Sequence, residues 1–405
     1  MTDVMFPFRV LVIGGGLGGL CLAQGLHGAG IDVAVYERDR SPEARSQGYR
    51  FHMDVRGEEA LRACLPSRLY ELAMATRGQP SKGATVFSVV DSELREAASR
   101  RFPERGSSEF VTVGSASDRL ILRQILLAGL DDIVHFGKEF TRYEQRPDGT
   151  VCAYFADGTE AAGNVLVAAD GVGSRIREQF LPQAELIDTG MRWLGGKTLL
   201  TDELRALLPP QLAETFGMVP DGAQRMLFGL VTFREDPNQA AARLWPGLQF
   251  HTTGDYVFWG LLVQRQQFAI ADDELLALPG SDLRRLILKP GKDWPGVLRM
   301  LIEQCQPDQT FVLKMRYAKP IEQWQTTTIT LLGDAIHAMP PTGSGANTAL
   351  RDASLLTRSL ITVANLGTSL YQALSDYESE MVRYGFHALQ ASLQGLGSRS
   401  FDQSP

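Results

Sequence analysis

Asp334 stands in the segment Gly333-Asp334-Ala335-Ile336-His337-Ala338-Met339-Pro340-Pro341-Thr342-Gly343-Ser344-Gly345-Ala346-Asn347. The apolar run Ile329 to Leu332 leads into its Gly-Asp turn, and a helical pattern over Asn347 to Leu366 follows. A carboxylate just past a strand end can accept hydrogen bonds from a chain of sugar-like hydroxyls. Free N–H groups at the helix start, close to Gly343, Gly345 and Ala346, stabilise a neighbouring negative charge. Pro340 and Pro341 stiffen the loop between turn and helix.

A second set of chemistry-bearing residues lies near the N-terminus. Gly14, Gly16 and Gly19 form Gly-x-Gly-x-x-Gly, with Leu17 and Gly18 inside it, after the apolar run Arg9 to Ile13 and before a helical pattern. The first glycine permits a tight turn, the second lets a pyrophosphate approach the backbone, and the third lets helix and strand pack closely. Glu37 closes the next β run 18 residues after Gly19, followed by Arg38. Its carboxylate suits a ribose and repels a 2′-phosphate, which favours the adenosine of FAD or NAD over that of NADP. The glycine motif alone does not choose between FAD and NAD. Asp334 and its loop do, because a ribityl chain and a reduced isoalloxazine ring match a carboxylate followed by N–H donors.

Other candidates carry less. Asp170-Gly171 after the run Val165 to Ala169, with Arg175 and Arg177, can order a phosphate loop or make a salt-bridged turn. Arg119 can reach a phosphate or a ring, or stay solvated. His337 sits in the glycine loop, where packing is the simpler role. His27, His52, His135, His251 and His387 have no ligand spacing, and Gly-x-Ser-x-Gly and His-Glu-x-x-His are absent from the sequence.

The elements that must position these groups follow from periodicity. Leu17 to Gly30 and Asp32 to Tyr36 complete a βαβ unit with the first run. A helix is expected over Ser115 to Leu130 and strands over Ile133 to Phe136, Phe140 to Gln145, Val151 to Phe155 and Val165 to Ala169. Met226 to Phe233, Leu248 to Thr252 and Tyr256 to Val263 read as β, and Asp272 to Leu288 as helical. Nucleotide-binding elements thus occur early, midway and late, with a β-rich region inserted. The fold class expected is α/β (α+β). Residues 4–80, 111–180 and 310–366 form a discontinuous Rossmann-like FAD-binding domain, 81–110 and 181–309 an interleaved β-rich substrate domain, and 367–405 a C-terminal helical segment.

Composition narrows the function. The 405 residues, 44 % hydrophobic, suffice for a large core. With 40 basic against 47 acidic residues the net charge is −7, which together with the lack of a Lys/Arg cluster argues against nucleic acid. Cys21, Cys64, Cys152 and Cys305 are scattered, without metal-ligand spacing, and read as apolar filler in a reducing compartment. No metal is expected. Glycines interrupt the apolar run Val10 to Leu26, so we read neither a targeting segment nor a membrane span of about 20 apolar residues. A cytoplasmic monomer or homodimer is the expectation.

These residues together resemble the single-component, group A FAD-dependent aromatic monooxygenases, the p-hydroxybenzoate hydroxylase-like family. The chain is similar to members acting on polycyclic polyketides and to tetracycline-modifying monooxygenases. The resemblance runs through the glycine loop with Glu37-Arg38, Glu43-Ala44-Arg45 before Gly48, Arg119-x-x-Leu122-Arg123, Asp170-Gly171, and Gly333-Asp334 through Asp352. It implies that Glu37 holds the adenosine ribose, Arg119 the pyrophosphate or ribityl region, and Asp334 the flavin's ribityl or pyrophosphate end. It further implies that Arg45 contacts FAD or NADPH and that Asp170 serves both nucleotides. One departure stands out. The family usually has six residues between the proline and asparagine matching Pro341 and Asn347, and this chain has five.

The implied activity is hydroxylation of an aromatic or polycyclic small molecule, with secondary metabolism as its setting. NADPH or NADH would be the transient reductant, O2 the oxidant, and a C4a-hydroperoxyflavin the oxygen donor. No side chain is assigned as catalytic, since the flavin carries the chemistry. Phe228, Phe250 and Phe258, with Phe233 and Trp259, are candidates to line the substrate pocket or simply to fill sheet core. Baeyer–Villiger oxygenation on the same scaffold and non-catalytic flavin or ligand binding are the alternatives. The absence of a Trp-x-Trp pair speaks against a flavin halogenase.

Overall fold

Hydrophobic alternation and βα spacing build two β systems that face each other. The structure is a computed structural model and describes residues 8–42, 44, 50–103, 113–221, 224–251, 254–289, 294–341 and 343–397.

The first system is a five-stranded parallel sheet in the spatial order Ile329–Leu331, Val165–Ala168, Arg9–Ile13, Asp32–Glu37, Val134–Phe136. Val10, Leu11 and Val12 are wholly buried, as are Val165 to Ala168, the continuous apolar signature of a sheet covered on both faces. The helices Leu17–Gly28 and Gly345–Leu366 pack against each other beside it. At Gly25 a Cβ would come within 2.7 Å of the Thr357 Oγ1, so close approach of the two helices depends on that glycine. A three-stranded antiparallel sheet of Phe140–Gln145, Val151–Phe155 and Glu160–Gly163 adjoins the parallel strands.

The second system is a seven-stranded sheet in the order Phe311–Ala318, Leu186–Leu199, Tyr256–Gln264, Gln224–Val231, Thr215–Asp221, Gly83–Val90, Glu93–Arg101. Period-two alternation sorts its side chains. Leu194, Phe228, Val257, Trp259 and Leu261 point to one face, where they meet Leu204, Leu275, Leu283, Leu298 and Leu301 from covering helices. Trp193, Leu227, Phe258 and Leu262 point to the other.

Several sequence expectations are corrected. Ser115 lies on the strand Gly114–Asp118, not in a helix. The helix Arg119–Leu127 begins only where Asp118 caps it, its Oδ1 accepting from the Leu120 and Ile121 N–H groups at 2.9 and 3.0 Å. Leu248 to Phe250 form no strand. The Asn238 side chain takes both backbone groups of Phe250, accepting from its N–H at 2.8 Å and donating to its carbonyl at 3.1 Å. The helical stretch after residue 272 divides into Asp272–Ala277 and Gly280–Leu288 around Pro279. The strand Phe311–Ala318 pairs with Leu186–Leu199 in the second sheet. The fold class, an FAD-binding α/β unit with an interleaved β-rich portion, stands. Among the described residues no helix is long and apolar enough to cross a membrane.

The helix Leu370–Gly397 closes the parallel sheet and brings a buried acid with it. Glu378 is wholly buried, and its Oε2 accepts from the Thr326 hydroxyl at 2.7 Å. Burial pushes its pKa from the ordinary 4.5 up to about 7, against the pull of hydrogen bonds from neighbouring residues. An acid whose pKa rises on folding holds its proton more tightly when folded. Stability is therefore lost as pH climbs from the ordinary carboxylate range through about 7, and the loss levels off above that. Glu378→Gln is expected to melt like wild type near about pH 4 and to be more stable by up to about 3 kcal/mol at about pH 8.5. Thermal melts of both proteins across that range check this, and a gain independent of pH would refute it.

Candidate functional site

The two glycine turns, about 320 residues apart in the chain, meet at one cavity of about 360 Å³. Gly14, Gly16, Leu17, Gly18, Gly19, Glu37 and Arg38 line it from the first βαβ unit. Gly333, Asp334, Pro341, Gly343, Gly345 and Ala346 line it from the second turn, and Arg119 and Asp170 stand between.

Each turn is built to leave donors open. Gly14 adopts φ +112°, and a Cβ there would lie 2.3 Å from the Ala169 carbonyl oxygen, so only glycine fits. Gly16 caps the helix Leu17–Gly28 without a side-chain hydrogen bond, and a Cβ at Gly16 would meet nothing within 4 Å. The first N–H groups of that helix therefore face a protein-lined space that an anion can fill. The helix Gly345–Leu366 likewise has no side-chain cap.

Three carboxylates surround this space. Glu37, buried, accepts from the Gly15 N–H at 2.7 Å and the Asp39 N–H at 2.9 Å, which fixes its orientation. The Asp170 Oδ2 accepts from the Arg175 N–H at 3.0 Å, while its Oδ1 is buried without a hydrogen-bond partner among the described residues. Burial raises the Asp170 pKa. Asp334 opens to the cavity but is otherwise surrounded by protein. Burial raises its pKa too, against the pull of Arg119 and His337. These are acceptors placed where a ligand's hydroxyls can satisfy them, beside helix ends that suit its phosphates.

The second turn is held from behind. Asp352, wholly buried, accepts from the Gly333 N–H at 2.7 Å, contacts the His337 Nε2 at 2.7 Å and accepts from the Tyr384 hydroxyl at 2.5 Å. Burial alone would lower the His337 pKa, but the Asp352 carboxylate overrides it and the net direction is upward. His337 thus anchors the loop and does not line the cavity. Asn347 is also a positioning residue instead of a lining one. Its amide donates to the His52 and Gly343 carbonyls at 2.7 and 2.9 Å, and its Oδ1 accepts from the Asp54 N–H at 3.2 Å. Arg45, Glu43, Gly48 and Thr342 lie outside the described residues.

The far wall is the second sheet. Phe258 lines the cavity, joined by Trp193, Phe216, Leu227 and Phe311. Phe228 does not. It follows Leu227 by one residue, so it points to the helix-covered face, where it packs near Phe87. Trp259 lies on that same face, and its indole N–H donates to the Thr198 Oγ1 at 3.2 Å. Phe250 packs in the core of the first system, and Phe233 is likewise absent from the wall.

Glycines shape this wall. A Cβ at Gly195 would lie 2.8 Å from the Phe311 ring, at Gly229 2.7 Å from Phe216, and at Gly260 2.7 Å from the Trp193 indole. Each ring lies against the backbone of an adjacent strand, leaving an apolar platform. Arg50 and His52, which residue types and spacing did not single out as site residues, complete the rim from the short strand Arg50–Met53.

Comparison with known proteins decides the family. The FAD binding domain family matches residues 8–235 and 303–392. The crystal structure of a protein described as an FAD containing monooxygenase from Photorhabdus luminescens subsp. laumondii TTO1 superposes with a TM-score of 0.77 at 30 % identity, covering 96 % of this chain and 97 % of that one. The chain belongs to the FAD-dependent monooxygenases. It is 32 % identical to the dual O-methyltransferase/FAD-dependent monooxygenase elcB of Phaeosphaeria nodorum, over 97 % of this chain and 46 % of that protein, so it spans about half that relative's length. It is 27 % identical to the aurachin C monooxygenase/isomerase of Stigmatella aurantiaca, over 90 % of this chain and 84 % of the relative. The expected family is therefore the one found, and the open helix ends and unsatisfied Asp170 oxygen fit the FAD of such monooxygenases.

The two N-terminal glycines separate folding from binding. Gly14→Ala is expected to destabilise the protein by about 2 kcal/mol or more, because it adds both a clash and an unfavourable φ. Gly16→Ala is expected to shift stability of the FAD-free protein by less than about 0.5 kcal/mol, yet to weaken FAD binding about tenfold or more by occupying the cradle. Thermal melts and FAD titration check both, and equal melting of the two variants would refute the distinction.

Proposed function

We propose that this chain is an FAD-dependent monooxygenase that uses NADPH or NADH and O2 to hydroxylate an aromatic or polycyclic small molecule. The observation that carries the reading is one cavity with FAD-type donors and acceptors at one end and an aromatic platform at the other.

The residues divide the work. The N-terminal ends of the helices Leu17–Gly28 and Gly345–Leu366 offer N–H groups to anionic parts of the cofactor. Glu37 is oriented to accept from a ribose and Asp334 from the ribityl chain, and Arg119 stands beside Asp334 as a counter-charge. Bound FAD, once reduced, supplies the activation of dioxygen. Trp193, Phe216, Phe258 and Phe311 hold a planar ring system and keep water from it. Trp193, Phe216, Phe258 and Phe311 are neither acids nor bases, which agrees with a wall that positions and desolvates. The aromatic side chains of that wall support the aromatic-ring reading, and the position of the label in the product separates it from Baeyer–Villiger oxygenation.

The test begins with the purified protein. It is expected to carry an oxidised-flavin absorbance spectrum and to release FAD on denaturation. NADPH or NADH oxidation is expected to rise about tenfold or more with an accepted planar phenol, and product made under 18O2 to gain one labelled oxygen. Asp334→Asn is expected to retain the fold and lose FAD affinity, since an amide presents one acceptor where the carboxylate presents two. A colourless protein that FAD cannot reconstitute, or label found in a lactone instead of a phenol, would overturn the proposal.

A further inference from the structure

Arg50 is a cavity-lining cation at the platform that the proposed cofactor contacts do not use and that no carboxylate among the described residues pairs. It lines the cavity, and its guanidinium carbon lies 4.8 Å from the centre of the Phe216 ring. Among those residues it makes no hydrogen bond and no ion pair, and its Nε is buried without a partner. Asp118 faces it across the paired strands, but that carboxylate is already used. Its Oδ1 caps the helix Arg119–Leu127, and its Oδ2 accepts from the Tyr256 hydroxyl at 2.9 Å and lies 3.6 Å from the Lys197 ammonium. A Cβ at Gly229 would come within 3.5 Å of the Arg50 Nε, so the guanidinium rests on the same sheet face as the aromatic rings. Burial lowers its pKa to about 10, which leaves it charged at neutral pH.

A half-buried guanidinium that lines a cavity with no protein acid beside it is poorly satisfied until a ligand acceptor arrives. A planar guanidinium matches a carboxylate, or an ionised phenol or enol flanked by a second oxygen, through paired N–H donors. We propose that Arg50 recognises an acidic oxygen on the substrate, so that the ligand is a planar aromatic or polycyclic acid lying on the platform. This deepens the monooxygenase reading and rests on it. Arg50 is a specificity-determining residue here, with no part in oxygen transfer. Trp193, Phe216 and Phe311 bind the ring system irrespective of its charge, and Arg50 selects the anion.

The experiment uses FAD-loaded protein and two probes, 3-hydroxy-2-naphthoate and its methyl ester, with affinity read by titration calorimetry. Wild type is expected to bind the acid about tenfold or more tighter than the ester. Arg50→Gln is expected to lose about tenfold or more in acid affinity while ester affinity changes less than about twofold, and Arg50→Lys to fall between. FAD content should be unchanged in both variants. Arg50→Gln should also melt no lower than wild type, because it removes an unpaired enclosed charge, whereas a merely structural arginine would lower stability and both affinities together.

Equal affinity of wild type and Arg50→Gln for the acid, tight binding of the ester by wild type, binding of neither probe, or loss of FAD from Arg50→Gln would each overturn the assignment. Failure of the monooxygenase reading is separately visible, as absence of FAD from the wild-type protein or absence of labelled oxygen in any product.

Discussion

The cavity depends on one buried carboxylate. Asp352 lies on the long helix Gly345–Leu366 and ties together the Gly333 backbone, His337 and Tyr384 of the last helix. A carboxylate with no exposure must be matched by donors on every side, and here the donors come from two separate segments, the turn Gly333 to His337 and the last helix. Their common fixation sets where Gly333 turns, at φ +62°, and hence where Asp334 emerges into the cavity. Loss of any one partner would leave charge or a buried N–H unsatisfied, so the network acts as a unit. The second half of the site is thus positioned from the core outward instead of by the loop itself.

The first half is positioned first by backbone geometry and then by two braces. Gly14 tucks under Ala169, and Gly19 sits so close to Gly14 that a Cβ there would lie 2.2 Å from the Gly14 carbonyl oxygen. Strand, turn and helix therefore interlock with no side chain between them. Glu37 reinforces the turn through the Gly15 N–H, and Arg123 does so from the next helix by donating to the Gly15 carbonyl at 2.9 Å. Arg123 also donates to the Pro42 carbonyl at 2.7 Å, which joins the glycine turn to the chain leading away from Arg38. Its place in the resembled motif, four residues after Arg119, has this local reason: it braces the loop while Arg119 faces the cavity.

The difference between these halves explains what the sequence made legible. A phosphate cradle needs glycines at set spacing, and a strand followed by Gly-Asp needs its polar turn, so both leave local signatures that can be read from residue order. The parallel strands, buried on both sides, read as short apolar runs for the same reason. The platform leaves no such signature. Both faces of the seven-stranded sheet are covered, one by helices and one by the cavity wall, so aromatic residues recur at odd and even positions alike. Leu227 and Phe228 differ only in parity, and nothing before the register is known tells which one faces the ligand. Gly195, Gly229 and Gly260 obscure the strands further, because glycine weakens a β signal while its cause, a ring lying across it from another strand, is distant in sequence. Phe250 shows the converse. Its surroundings look β-like, but Asn238 satisfies its backbone and removes the need for a partner strand.

Charge is sorted along the cavity by what each end can satisfy internally. At the end with the glycine turns, open helix N–H groups suit negative ligand charge without a counter-ion, so the carboxylates Glu37, Asp170 and Asp334 can stand nearby as acceptors for hydroxyls. Burial raises the pKa of both Asp170 and Asp334, and a hydrogen bond from a ligand hydroxyl favours the charged form of each. At the platform end the protein offers almost no acceptors, and Lys197 and Tyr256 are both occupied with Asp118. Arg50 is left on an aromatic ring, where partial compensation by the π face makes its charge tolerable without neutralising it. One end of the cavity thus carries carboxylate acceptors, with the Asp170 Oδ1 unpaired among the described residues, and the other a guanidinium without an acceptor among them. A ligand pair that supplies hydroxyls at the first and an acidic oxygen at the second suits both ends at once, which is the electrostatic reason to read them as a single site.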